Sequence, residues 1–259
     1  MASHALNLLP GRVALITGGT RGIGRAIAET FAANGAHVVV TGTHPGPAQE
    51  VADLIQRRGW PDALGLPLDV RDPVQIEHVF TTTMVRFGRI DILVNNAGVH
   101  TGYPVAEFPL EAWRDLYRIN VEGVFLCSQA AMRAMMAHGA GGVILHMSSA
   151  AARASGTKQA AYASSKAALL AFSRVLAVEG GPYGIRSNCI LPGATETDML
   201  EGVFATIPGI REELLGRTVL GKLGNVQDQA NVALFLASDL GRHVTGEYVV
   251  VSGGEFMNA

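Results

Sequence analysis

Tyr162 and Lys166 stand four residues apart in AAYASSKAAL, so on a helix both side chains fall on one face. A free phenol titrates near about 10, too high for an efficient base at neutral pH. An ammonium a few ångströms away favours the phenolate and lowers that value, which makes the pair an acid/base couple. A core tyrosine beside an exposed lysine meets the same spacing. Two serines, Ser148 and Ser149, follow the apolar run GVILHM. A hydroxyl at the carboxyl end of a strand can hold a substrate oxygen and steady the charge that develops there; a cap or loop role is the plainer alternative. A third group is TGGTRGIG, Thr17–Gly24. Gly18 permits a tight turn, and Gly22 lets the backbone approach a pyrophosphate. Gly24 lets helix and strand pack closely, with Ile23 in the first helical turn, whose N–H groups and partial positive charge face an anion.

These residues are positioned by short apolar runs that alternate with helical patterns. Strands are expected at 12–17, 37–41, 63–68, 91–94, 142–147, 185–191 and 247–251. Helices are expected at 23–34, near 48–58, at 73–87, near 110–117, at 121–138 and 160–179, and near 227–236. Pro73 should open one helix and Gly88 stop it. The strands do not alternate in polarity, as expected where helices cover both sheet faces. The β-α rhythm therefore predicts an α/β fold: a Rossmann-like, doubly wound parallel sheet with helices on both faces. No linker interrupts 1–259, which reads as a single dinucleotide-binding and catalytic domain. Only 195–224 breaks the rhythm, and it reads as a candidate substrate lid within that domain.

Bulk properties narrow the function. Hydrophobic residues make up 48% and charged residues 16%, enough apolar material for a sizeable core. A net charge of −2 offers no basic field for nucleic acid. No signal-peptide pattern and no membrane-spanning stretch is present, so a soluble, cytoplasmic protein without membrane partners is expected. Cys127 and Cys189 each lie in an apolar segment and read as buried free thiols. The histidines form no HExxH and no paired Cys/His spacing, so no metal site is expected.

TGGTRGIG has the TGxxxGxG spacing of short-chain dehydrogenases/reductases, and further signatures of that family follow in order. Asn95–Gly98 (NNAG), which includes Ala97, resembles the family's motif after the fourth strand. Asp69 and Val70 resemble the pair beside the adenine, and Asp69 is the residue aimed at it. Pro192–Gly193, with Thr195 and Thr197 following, is similar to the PGxxxT segment beside the nicotinamide carboxamide. The resemblance runs from about Gly11 to the C-terminus. It implies Asn120, Ser149, Tyr162 and Lys166 as the catalytic set, the thirteen-residue Ser-to-Tyr interval selecting Ser149 over Ser148. It also implies that Asn120 interrupts a helix and holds a water, and that Lys166 holds the cofactor ribose. A departure is Ser252 in VVVSGG, where the family commonly has an acid.

The function implied is hydride transfer between NAD(P)(H) and a small-molecule carbonyl, secondary alcohol or sugar hemiacetal. NADP(H) is expected over NAD(H), though NAD(H) remains possible. No carboxylate lies between Glu29 and Glu50, where the second strand ends, while Arg21 and Thr43 are available to a 2′-phosphate. For the substrate, three likenesses stay open. GIRSNCILPG, the segment 159–162 and the ending GGEFMNA resemble sugar 1-dehydrogenases of the L-rhamnose type. TGTHPG and Gln159 resemble 3-oxoacyl-ACP reductases, and PGATETDM resembles dihydrodiol-type dehydrogenases. A non-catalytic NADP(H)-binding sensor on the same fold is the alternative class. His100, Tyr103, Arg153, Gln159 and Met199 are candidate pocket residues. The broad apolar character of 121–137 and 167–178 points to a homotetramer.

Overall fold

Four-residue runs such as Val13–Ile16, wholly buried, can be strands only where both sheet faces are covered. The computed structural model describes residues 7–206 and 209–257, apart from the side chains of Met199, Val203 and Thr206. Its strands are β1 (Val13–Ile16), β2 (His37–Gly42), β3 (Ala63–Pro67), β4 (Ile92–Asn95), β5 (Gly142–Met147), β6 (Ile185–Pro192) and β7 (Tyr248–Val251). They form one sheet in the order β3-β2-β1-β4-β5-β6-β7. Each pairing is parallel. The doubly wound fold read from the sequence is therefore present.

The helices are α1 (Gly22–Ala33), α2 (Pro45–Arg57), α3 (Pro73–Phe87), α4 (Leu110–Tyr117), α5 (Gly123–His138), α6 (Ala160–Gly180), α7 (Asp198–Thr206), α8 (Ile210–Arg217) and α9 (Val226–Ala237). Alternation along β1 divides them into two layers. Ala14 and Ile16 join a core with Phe31 of α1, Ile55 of α2 and Leu236 of α9. Leu15 points the other way, toward Phe80 of α3, Met135 of α5 and Leu176 of α6. The chain winds from β1 through β2 to β3, then returns to lay β4 against the other side of β1. A crevice opens at the carboxyl ends of those two strands, where such folds bind ligands.

Several boundaries differ from the sequence reading for local reasons. α2 begins at Pro45, three residues earlier than expected, because a proline in the first turn needs no N–H partner. The helices read separately at 110–117 and 121–138 are one continuous element, joined by a π-helical turn over Arg118–Glu122. The excursion 195–224 holds α7 and α8, and a parallel bridge between Thr195 and Gly224 closes its base. α3 starts and stops as read: Asp72 caps it through Val74 and Gln75, Pro73 follows, and Gly88 ends it with φ +75.

One glycine that the sequence reading passed over fixes the outer edge. A Cβ on Gly65 in β3 would lie 2.4 Å from the Gln49 nitrogen and 2.5 Å from the Ala48 carbonyl group, so α2 rests directly on the strand backbone. Gly65→Val must push α2 outward. The expected cost is about 1–3 kcal/mol, as for overpacking elsewhere. A melting midpoint several degrees lower, with the far-UV circular dichroism spectrum retained, is the expected result.

Candidate active site

The glycine turn sits at the mouth of the crevice. Gly18 and Gly22 have φ of +63 and +54, values a side chain resists. The turn is laced to the end of β4: Asn96 Nδ2 donates to the carbonyls of Thr17 (3.0 Å) and Gly18 (2.8 Å). Thr17 Oγ1 in turn accepts from the Asn96 and Ala97 nitrogens, each at 3.0 Å. A Cβ on Gly18 would stand 3.0 Å from Ala97 Cα, and one on Gly24 only 2.4 Å from the Gly18 carbonyl oxygen. Ile23 packs against the core beneath the turn. α1 starts at Arg21 without a side-chain cap and without an acid in its first turn. Its free N–H groups and dipole make an anion site, which fits the phosphates of a dinucleotide.

The structure redistributes the NNAG residues. Asn95 turns its side chain away from the glycine turn, donating to Ser128 Oγ (2.9 Å) and lying 3.3 Å from His146 Nδ1. Asn96, which the sequence reading did not single out, braces the glycines. Alternation from Leu93 carries the Asn95 side chain to the α5 face, a signal that period-two counting contains.

At the adenosine end, Gly42 closes β2 where a carboxylate was sought. A Cβ there would meet Thr20 Cγ2 at 2.6 Å. Thr43 and His44 are exposed beside it. Arg21 extends into solvent and reaches Asp198 of α7 at 3.7 Å. Asp69 is less free than expected: Arg71 holds its carboxylate through Nε at 3.0 and 3.1 Å and Nη2 at 2.6 Å. That guanidinium keeps the Asp69 pKa below the usual carboxylate range. Val70 is buried against Gly123 at the start of α5.

At the ends of β4 and β5 the four polar residues converge. Tyr162 and Lys166 lie on one face of α6, with Nζ 5.8 Å from the phenol ring centroid. Nζ donates to the Met147 carbonyl at 2.9 Å. Ser149 hydrogen-bonds the Tyr162 phenol. Ser148 is committed elsewhere, its hydroxyl donating to the Lys166 carbonyl at 2.8 Å. Asn120, buried in the π-helical turn, accepts from the Val99 nitrogen and donates to the Val99 carbonyl, both at 2.9 Å, and also donates to Ser165 Oγ at 3.2 Å. Gly98 leaves the space between them: a Cβ there would lie 3.1 Å from Lys166 Nζ and 3.3 Å from Asn120 Oδ1.

Charge balance in this cluster departs from expectation. Lys166 was expected to pull the Tyr162 pKa down, but burial pushes it up, with only the Ser149 hydrogen bond opposing. Lys166 is itself buried, which lowers its pKa to about 8. Desolvation is the largest cause of both shifts.

The segment 192–197 faces the crevice from the far side. The Glu255 carboxylate accepts from the Ala194 nitrogen at 3.0 Å, and Gly193 donates to the Val251 carbonyl at 3.0 Å, so the C-terminal turn holds Pro192–Gly193 in place. Thr195 Oγ1 accepts from Gln229 at 3.1 Å. Thr197 Cγ2 comes within 3.7 Å of a Cβ built on Gly22, bringing the base of the excursion over the glycine turn. Neither Glu255 nor Gln229 carried a sequence signal. Among the pocket candidates, His100 packs edge-on to Tyr162 with ring centroids 4.9 Å apart. Gln159 Oε1 accepts from the Gly156 nitrogen at 3.0 Å. Tyr103 turns toward Phe108, and Arg153 lies over the Tyr248 ring. The Met199 side chain lies outside the described residues. Cys127 and Cys189 are buried free thiols, and no metal-binding cluster occurs among the described residues.

Comparison with known proteins places this geometry. Residues 18–255 match the family model described as enoyl-(acyl carrier protein) reductase. The chain is 42% identical over 247 residues to 3-oxoacyl-[acyl-carrier-protein] reductase FabG of Escherichia coli, covering 95% of this chain and 98% of that one. It is 37% identical over 255 residues to L-rhamnose 1-dehydrogenase (NAD(P)(+)) of Azotobacter vinelandii, covering 97% and 99%. A solved 7α-hydroxysteroid dehydrogenase, complexed with NADH and 7-oxo glycochenodeoxycholic acid, matches with a TM-score of 0.92 at 38% identity over 98% of both chains.

Behind the cluster, His146 bridges β4 to β6 with no solvent contact. Its Nδ1 faces the Asn95 amide, and its Nε2 lies 3.2 Å from Ser187 Oγ, which meets Ser173 Oγ at 2.9 Å. Accepting from Asn95 fixes the neutral tautomer with its proton on Nε2. Burial, aided by the Lys166 charge, lowers the His146 pKa to about 3, from 6.5 in a free chain. Between those values the unfolded state binds the extra proton, so stability falls as pH falls, by about 1.4 kcal/mol per unit for one site. Urea unfolding at pH 7 and pH 5 should show wild type losing about 2 kcal/mol more than His146→Asn over that interval. Parallel losses in the two proteins would mean that His146 takes up its proton normally in the folded state.

Proposed function

The chain belongs to the short-chain dehydrogenase/reductase family and is an NAD(P)-dependent oxidoreductase of CH–OH groups; on that premise we propose that Tyr162 carries the proton in its interconversion of a carbonyl with a secondary alcohol or sugar hemiacetal. The observation that carries the reading is the convergence of Tyr162, Ser149, Lys166 and Asn120 at the carboxyl ends of β4 and β5, with Lys166 and Asn120 meeting over Gly98. The free N–H groups at the start of α1 would hold the pyrophosphate, with Gly18, Gly22 and Gly24 clearing its path. Pro192, Gly193, Thr195 and Thr197 would border the nicotinamide, and Asp69, Val70 and the backbone of Asn95–Gly98 the adenosine side. A bound nicotinamide supplies the hydride acceptor or donor. In reduction, Ser149 steadies the substrate oxygen while the Tyr162 hydroxyl releases its proton to it; in oxidation the proton returns. The phenol is protonated at neutral pH, the form that donates in reduction, and burial shifts it further toward that form. Lys166 would hold the ribose hydroxyls and, with the π-helical turn at Asn120, a water for proton relay.

The cofactor reading is NADP(H) in preference to NAD(H). Any side chain at Gly42 would collide with Thr20, so the position that would repel a 2′-phosphate is empty of charge. Arg21 and Thr43 are exposed on that side, and the weak 3.7 Å pairing of Arg21 with Asp198 leaves its guanidinium available. The NADH in the solved hydroxysteroid dehydrogenase belongs to that protein. For the substrate, the identity to FabG favours a 3-oxoacyl thioester as the second reading. We also propose a single catalytic domain in which 195–224 acts as a lid, in a cytoplasmic homotetramer. A groove of about 690 Å³ between α4, α5 and α6, lined by Trp113, Tyr117, Phe125 and Phe172, supports subunit pairing.

Tyr162→Phe keeps the ring packing and removes the proton. Single-turnover hydride transfer should fall to well under a tenth of wild type, with cofactor affinity by fluorescence nearly intact; a rate above that tenth assigns the proton to another group. For the cofactor, kcat/KM should favour NADP+ over NAD+ at least tenfold, about 1.4 kcal/mol. Arg21→Ala should erase most of that preference. A wild type preferring NAD+ overturns the reading.

A further inference from the structure

His100 stands at the mouth of the site and makes no hydrogen bond that its surroundings require. The backbone just before it is rigid: Val99 exchanges two hydrogen bonds with the buried Asn120 side chain, each at 2.9 Å. The imidazole then packs against Tyr162, centroids 4.9 Å apart and planes inclined at 67°. On its other side lies Gly102, where a Cβ would stand 3.6 Å from His100 Cε1 and 3.3 Å from the Lys158 carbonyl oxygen. The ring thus lies between the proposed proton carrier and the Gly102 backbone, with one edge open to solvent. Its ring nitrogens have no hydrogen-bond partner among the described residues. The residue is solvent-exposed, yet enough of the ring is covered to lower its pKa.

Chemistry at this mouth is polar. A neutral imidazole offers one donor and one acceptor, the same pair that an alcohol hydroxyl presents in reverse. Ser149 adds a hydroxyl beside Tyr162. Gln159 uses its carbonyl oxygen on the Gly156 nitrogen, and its amide nitrogen has no partner among the described residues. The aromatic side chains nearby, Tyr103 and Phe108, pack on each other rather than on Tyr162. An acyl chain would want an apolar trough at this point; a hydroxylated ring meets donors and acceptors.

We infer that His100 is a specificity residue that hydrogen-bonds a hydroxyl on the substrate carbon adjacent to the reacting one, which makes a polyhydroxylated substrate of the aldopyranose class the one this mouth fits. The inference rests on the proposed carbonyl–alcohol chemistry at Tyr162 and narrows its substrate. A site built to pair with a hydroxyl discriminates against the analogue that lacks it, because its own polar groups are then left unpaired.

The test uses matched pairs of probes: L-rhamnopyranose against 2-deoxy-L-rhamnopyranose, and 2-hydroxycyclohexanone against cyclohexanone. Wild type should favour the hydroxylated member, measured as a ratio of kcat/KM within a pair. His100→Phe keeps a ring against Tyr162 and removes both hydrogen-bonding atoms. Its ratio should fall about tenfold, mostly through KM, while its melting midpoint and cofactor dissociation constant report an intact fold. An unchanged ratio, with both members slowed equally, makes His100 a packing residue and overturns the inference. So does a wild type that prefers the bare member of each pair. A wild type that turns over none of the four overturns the inference and, unless a 3-oxoacyl thioester is reduced, the chemistry at Tyr162 with it.

Discussion

The clamp between the ends of β1 and β4 is the constraint on which the site depends. Thr17 Oγ1 gathers two backbone N–H groups from the far strand, and the Asn96 amide answers with two bonds to the Thr17 and Gly18 carbonyls. These bonds satisfy polar groups that the strand reversal would otherwise leave unpaired at a buried seam. They also set the height of the glycine turn against Gly98, and Gly98 in turn spaces Lys166 from Asn120. The phosphate-binding end and the proton-transferring end are therefore fixed relative to one another through one short stretch, 96–98, rather than through separate loops.

Burial does as much as charge to set the chemistry. Lys166 and Tyr162 sit where water is largely excluded, and each is pushed toward its neutral form. The Met147 carbonyl holds the ammonium, so the lysine is oriented by a dipole of the sheet and not by a carboxylate. An acid in that place would have fixed the lysine as a permanent cation and satisfied it. A carbonyl leaves donors over for hydroxyl groups that arrive with a ligand. His146, one residue upstream, stays neutral for the same reason and adds no competing charge.

Much of this was legible in the sequence because periodicity and turn chemistry act locally. The parallel sheet, the crevice, the start of α3 at Pro73 and the shared face of Tyr162 and Lys166 follow from spacing alone. The choice of Ser149 came from resemblance, and the structure adds the physical reason that Ser148 is spent on the Lys166 carbonyl. What stayed hidden depends on contacts between distant segments. Alternation along β4 tells the Asn95 side chain from that of Asn96, but not that the one meets Ser128 while the other braces the glycines. Arg71 occupies the Asp69 carboxylate through a side-chain reach that no spacing rule predicts. Glu255 reaches Ala194 across sixty-one positions, and the interruption at Asn120, which resemblance implied, takes the form of a π-helical turn that periodicity does not show.

The excursion at 195–224 returns to its starting point through one bridge, Thr195 to Gly224, braced by the Gly224–Ala194 and Glu196–Gly224 hydrogen bonds. Its base is thus defined by the sheet side of the molecule, whatever lies between. Lengthening such a closed segment costs little, about 0.6 kcal/mol for each doubling. The stretch holding α7 and α8 is a cassette: it is anchored by that bridge and not by α6 or the end of β5, where Tyr162, Lys166 and Ser149 sit. Related chains acting on a steroid, a sugar or an acyl thioester can then share one chassis and differ in what is spliced between two fixed anchor points.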